Sequence, residues 1–126
     1  MKRQISLLLI LIITGIPGLF AEVGVASYYG LEACKFNRVE SCPTASGKSL
    51  KDLIAMDVPY VAMWDVPFNT PVSIKGPKGV GIGIVLDRGP NRRLGRLIDL
   101  SEGLFREVCG NPKQGLCTVE VSYGKS

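Results

Sequence analysis

The chain has 126 residues, 15 of them basic and 11 acidic, with four cysteines and no histidine. That length fits one domain rather than two, and a composition 46% hydrophobic and 21% charged excludes wholesale disorder. Without histidine there is no Ser-His-Asp triad, no Cys-His dyad and no His-ligated metal site, so any catalysis falls to carboxylates, thiols, lysines, tyrosines or backbone dipoles.

The chain opens with Met1-Lys2-Arg3, then the apolar run Leu7–Ile13, then Gly15, Pro17, Gly18 and Ala21. This is the layout of a secretory signal peptide with cleavage after Ala21. The run is shorter than the ~20 residues that span a bilayer. An uncleaved N-terminal anchor is the alternative, because Leu19 departs from the small-residue cleavage pattern. The expected division is therefore a leader over 1–21 and one folded domain over 22–126. The mature protein is expected to be secreted, periplasmic or in the cell envelope, with no stable membrane insertion. Losing Lys2 and Arg3 leaves 13 basic side chains against 11 acidic. So small an excess does not suit a nucleic-acid binder.

In chain order, Val23–Tyr29 reads as a strand and Leu53-Ile54-Ala55-Met56 as a brief buried run. Pro71–Lys75 and Val80–Leu86 flank Gly76-Pro77-Lys78-Gly79, a hairpin with a four-residue turn. Gly79-Val80-Gly81-Ile82-Gly83 is not a dinucleotide fingerprint. Its glycines lie inside an apolar strand, with no helix following, and read as one strand face left open for a neighbour. Glu102–Val108 reads as a helix with Ser101 as N-cap. Thr118–Tyr123 alternates with period 2, as a half-buried strand does. Many short strands and one short helix point to a small β-barrel.

Cys34, Cys42, Cys109 and Cys117 are even in number, and in an exported protein they read as two disulfides with three connectivities open. The repeated spacing favours Cys34–Cys42 and Cys109–Cys117. A zinc site using all four cysteines is the rival, although no closely spaced cysteine pair of the kind such sites use is present. No metal or cofactor is expected.

Three aspartates end apolar runs: Asp57 after Ile54-Ala55-Met56, Asp87 after Ile84-Val85-Leu86, and Asp99 after Leu97-Ile98. A carboxyl placed where a strand leaves the core is partly desolvated, which suits a general acid. Each also has a structural reading, as a cap or a turn-former.

Gly24-Val25-Ala26-Ser27-Tyr28-Tyr29-Gly30, Pro43-Thr44-Ala45-Ser46-Gly47, Asp87-Arg88-Gly89-Pro90 and Arg96-Leu97-Ile98-Asp99-Leu100-Ser101 occur in that order. Together they resemble the rare lipoprotein A family, which is related to three-aspartate wall-lytic domains and to expansins. The resemblance implies a six-stranded double-psi β-barrel with one or two short helices. It also implies action on bacterial peptidoglycan, as a lytic transglycosylase cleaving MurNAc-GlcNAc linkages to 1,6-anhydro products. Asp87 matches the catalytic aspartate, Asp99 the second aspartate, and Asp57 the first aspartate of the three-aspartate pattern. The implied substrate-binding set is Tyr28, Tyr29, Thr44, Ser46, Lys48, Trp64, Arg88 and Arg96. The tyrosines and Trp64 would stack on sugars, and the arginines would meet peptide carboxylates. Two positions depart from the family pattern. Its Ala-Ser-Gly-Glu ends here in Lys48, and its active-site histidine falls on Asp57 or, in a second alignment, on Met63. A single acid/base suffices for a transglycosylase, since no water attacks. The competing reading is a non-catalytic, expansin-like glycan-binding and wall-loosening module. A third is a secreted effector or inhibitor on the same barrel. A monomer whose partner is cell-wall glycan is expected.

Overall fold

The computed structural model describes residues 18–35 and 39–124. The leader-like run over 1–17 lies outside them. Six strands form a closed barrel: β1 (Leu19–Tyr28), β2 (Tyr60–Ala62), β3 (Pro71–Lys75), β4 (Val80–Asp87), β5 (Ile98–Leu100) and β6 (Cys117–Gly124). Around the barrel their order is β1-β5-β2-β4-β3-β6. The β1/β5 and β2/β4 pairs are parallel and the rest antiparallel. Closure gives each of these strands two neighbours, although β1 meets β5 only over its last three residues. The first three residues of β1 belong to the expected leader. They pair with the end of β6, Leu19 opposite Gly124 and Ala21 opposite Ser122.

Among the described residues, two α-helices accompany the barrel, α1 (Leu50–Ala55) and α2 (Glu102–Val108). The Ser101 hydroxyl accepts from Leu104 N at 3.3 Å, the N-cap expected for α2. In α1, Ser49 accepts from Asp52 N at 3.2 Å. This helix occupies what reads in sequence as a mere buried run, and Ser49-Leu50-Lys51-Asp52 is its start signal. Asp57 takes φ +57° just beyond its C-terminus, and its N–H donates to Ile54 O. Aspartate tolerates this left-handed conformation better than most residues.

Two apolar clusters organise the molecule. Val61, Val72, Ile74, Val85, Ile98, Leu100, Val119 and Val121 fill the barrel, and Leu104, Phe105 and Val108 of α2 join them. The hairpin β3–β4 forms as expected, and β4 turns Gly81 and Gly83 toward α2. A Cβ on Gly83 would sit 2.6 Å from Val61 and 3.0 Å from Leu104, so the bare backbone is what lets the helix approach. Outside the barrel, Leu50 and Leu53 of α1 pack with Cys42, Tyr60 and Leu86. Disulfides Cys34–Cys42 and Cys109–Cys117 pin the two clusters in the local pairing favoured by the spacing. All four thiols are consumed, which removes the zinc alternative.

Candidate functional site

Strand pairing brings two of the three aspartates into one row. Ala62 of β2 lies opposite Asp99 of β5 and opposite Asp87 of β4. Ser27 of β1 pairs with Asp99 from the other side. The row Ser27, Asp99, Ala62, Asp87 thus crosses four neighbouring strands, with the two aspartates roughly 10 Å apart at the backbone. A bulge makes this possible. Val61 pairs with Val85 but Ala62 with Asp87, so Leu86 is an extra residue. Strict alternation from Val85 would send Asp87 back into the barrel; the bulge re-aims it. Above the row passes Gly89, at φ +146°. A Cβ there would stand 3.6 Å from Ala62 Cβ and 3.7 Å from Asp99 Oδ2, so the Asp87-Arg88-Gly89-Pro90 turn lies directly against the row.

The two carboxyls have different surroundings. Asp87 accepts three hydrogen bonds: from Tyr29 OH at 2.7 Å, and from Ala45 N and Arg88 N at 2.9 Å each. It ties Tyr29, the Pro43–Lys48 loop and its own turn together. Burial, and then the Asp87 charge and hydrogen bond, push the Tyr29 phenol far above its usual range. Tyr29 is fixed in turn by Tyr60, which packs edge-on against it and donates to its carbonyl at 2.6 Å. Burial pushes Tyr60 up to about 12, with help from Glu32, Asp87 and Glu102. Asp99 accepts from the Ser27 hydroxyl on Oδ1. Burial raises its pKa; the Ser27 hydrogen bond and the Arg96 charge oppose this, and Asp87 adds to it. Asp99 is thus a carboxyl that holds its proton to higher pH than usual, with Oδ2 turned toward the Gly89 backbone.

The remaining expected site residues divide into those near the row and those elsewhere. Thr44 and Ser46 share a hydroxyl–hydroxyl hydrogen bond at 2.9 Å, and Thr44 Oγ1 also donates to Lys48 O. These contacts shape the loop that presents Ala45 to Asp87, and leave Lys48 exposed at its end. Arg96 acts on Asp99 by charge, and its buried Nε has no hydrogen-bond partner. It also lines a cleft of about 330 Å³ with Trp64, Tyr123, Glu22 and Arg92. Trp64 is 38% exposed, donates to Pro90 O at 2.6 Å, and carries the Arg92 guanidinium over its ring. Arg88 is occupied otherwise: it donates to Met63 O at 3.1 Å and lies over the Phe68 ring. Tyr28 packs against Phe105 with ring centroids 4.9 Å apart. Asp57 does not join the row. It is exposed beside Gly103 of α2, in a cleft it shares with Tyr28 and Glu102.

Two members of the row escape a reading from sequence alone. Ser27 lies inside the Gly24–Gly30 motif, but only strand register singles it out. Ala62 belongs to a three-residue strand, fully buried and too short to show an alternation.

No family model and no curated protein sequence matches the chain. Solved structures do. An expansin variant from Clavibacter michiganensis in complex with cellohexaose matches with TM-score 0.63 and 20% identity, over 84% of this chain and 51% of that one. The apo expansin from the same organism matches at 0.63 and 21%, over 85% and 52%. A Streptomyces papain inhibitor matches at 0.58 and 18%, over 85% of this chain and 97% of that one. The chain therefore spans about half the length of these expansins and nearly all of the inhibitor. At such identities the likeness carries the fold: this is a six-stranded barrel of the double-psi kind seen in expansins.

Proposed function

We propose that the chain is an exported, non-catalytic module that binds cell-wall glycan and loosens it, in the manner of expansins and related to the rare lipoprotein A barrels. The observation that carries this reading is the state of Asp87, the residue matched to the transglycosylase acid. Its two oxygens are taken by three donors that hold the site together. A residue so committed is a structural hub rather than a free proton donor. Binding is supported by the cleft of about 330 Å³ beside the row, lined by Trp64, Tyr123, Arg92 and Arg96, where the Trp64 indole is 38% exposed under the Arg92 guanidinium. Disulfides in both clusters support an oxidising compartment.

One observation favours a second reading. Asp99, whose pKa burial raises, is suited to protonate a glycosidic oxygen and then take the proton of the C6 hydroxyl, as a lytic transglycosylase does. A pull-down on peptidoglycan sacculi and on cellulose, with the soluble products read by mass spectrometry, separates the two. Retention without new 1,6-anhydro ends is the expected result, with Trp64→Ala weakening retention about tenfold. Anhydro ends that vanish in Asp99→Asn would establish the enzyme instead. Absence of retention on either polymer would end the glycan reading.

A further inference from the structure

Asp57, left out of the carboxylate row, belongs to a surface of different character. It lines a cleft of about 360 Å³ whose inner wall is Tyr28, Ile54 and Val58 and whose rim carries Glu32 and Glu102. A second cleft of about 360 Å³ continues past Asp57 and Gly103 to Ile82 and Glu107. Large apolar side chains stand exposed in the lining: Leu31 and Ile82 are 53% and 56% accessible. Among the described residues lining the two clefts, Arg106 is the one cation, and it is bridged to Glu102 at 3.9 Å.

We propose that these consecutive clefts dock an extended basic segment of a partner protein, with apolar side chains seated on the floor and cationic ones against the acidic rim. Two adjoining clefts that share walls at Asp57, Val58, Ser101 and Gly103 suit a continuous extended chain. Exposed leucine and isoleucine in their lining mark a contact surface rather than a solvated face. The charge selects the partner's sign. A sugar is a poorer occupant, because the aromatic faces are spent: Tyr28 packs on Phe105 and Tyr60 is buried. A metal ion is poorer still, since among the described residues no three acidic, Cys or His side chains converge on one point. This inference is independent of the glycan reading, which rests on the Asp87–Asp99 row and the Trp64 cleft, with no lining residue in common.

The test is an amide NMR titration of the oxidised protein with a synthetic peptide of about ten residues alternating leucine and arginine. Its counterpart with glutamate for arginine serves as control. Saturable shifts confined to Gly30, Leu31, Ile54, Asp57 and Gly103 are expected with the basic peptide alone. Affinity should fall about tenfold in the exposed double variant Asp57→Asn/Glu107→Gln, whose own spectrum reports its fold, and fall again on raising salt. Equal binding of both peptides, shifts spread over the whole surface, or no saturation would overturn the proposal. So would concentration-dependent shifts of these amides without peptide, which would give the clefts to a second copy of the chain.

Discussion

Asp87 and Asp99 are the same residue type, each one strand away from Ala62, yet they sit in different physical conditions. Three donors surround Asp87, whereas burial dominates at Asp99, opposed by the Ser27 hydroxyl and the Arg96 charge. Because Asp99 is raised in the folded state, folding favours its protonated form. Its contribution to stability is complete below the unfolded carboxyl range and is lost as pH rises through the folded value. Asp99→Asn keeps an oxygen to accept from Ser27 and removes the buried charge. The variant should melt above the parent at neutral pH, by about 3 °C given partial solvent screening. The difference should shrink to nothing in strong acid, which thermal melts across pH would record. A variant that melts lower at neutral pH would show that the charge is compensated in the fold. None of this contrast was legible in sequence, where both aspartates simply end apolar runs. It arises from the bulge at Leu86, which no residue type announces.

Elements were legible where local chemistry alone decides them. Gly76-Pro77-Lys78-Gly79 closes the β3–β4 hairpin, Ser101 starts α2, and Val119, Val121 and Tyr123 set the period of β6. β2 was not, because three buried residues between β5 and β4 cannot display an alternation, and its existence depends on partners distant in sequence. α1 was legible in principle from Ser49 and Asp52, but an apolar run of four residues reads equally as strand or helix. The glycines of β4 were legible as an open face, and the structure supplies what fills it. That assignment can be checked within one strand. Gly83→Ala would drive a methyl into Val61 and Leu104 and should cost about 2–3 kcal/mol. Ile82→Ala, on the exposed side of the same strand, should cost under about 1 kcal/mol. Urea unfolding of both variants measures the contrast, and equal losses would mean that α2 yields to the added methyl.

At the scale of the molecule the fold consists of a barrel with an outer layer, and each disulfide belongs to one of them. Cys109 and Cys117 are buried in the barrel core, where they join the end of α2 to the start of β6. Cys34–Cys42 instead clasps the outer layer, one residue before the Pro43–Lys48 loop whose Ala45 N–H holds Asp87. Each closes a loop of similar length, so loop entropy alone assigns both about 2.5 kcal/mol. Their consequences should nevertheless diverge, since stability is not uniform across a structure. Replacing Cys109 and Cys117 by alanine removes core volume as well as the tether, and should lower global stability by more than the tether alone. Replacing Cys34 and Cys42 should leave the barrel amides of β3, β4 and β6 protected in hydrogen exchange, while those of residues 42–50 exchange freely. Glycan retention should fall with them, because the loop no longer orders Asp87. Loss of protection throughout the barrel on removing the outer bridge would show that the layer is part of the folding core rather than a clamp on the site.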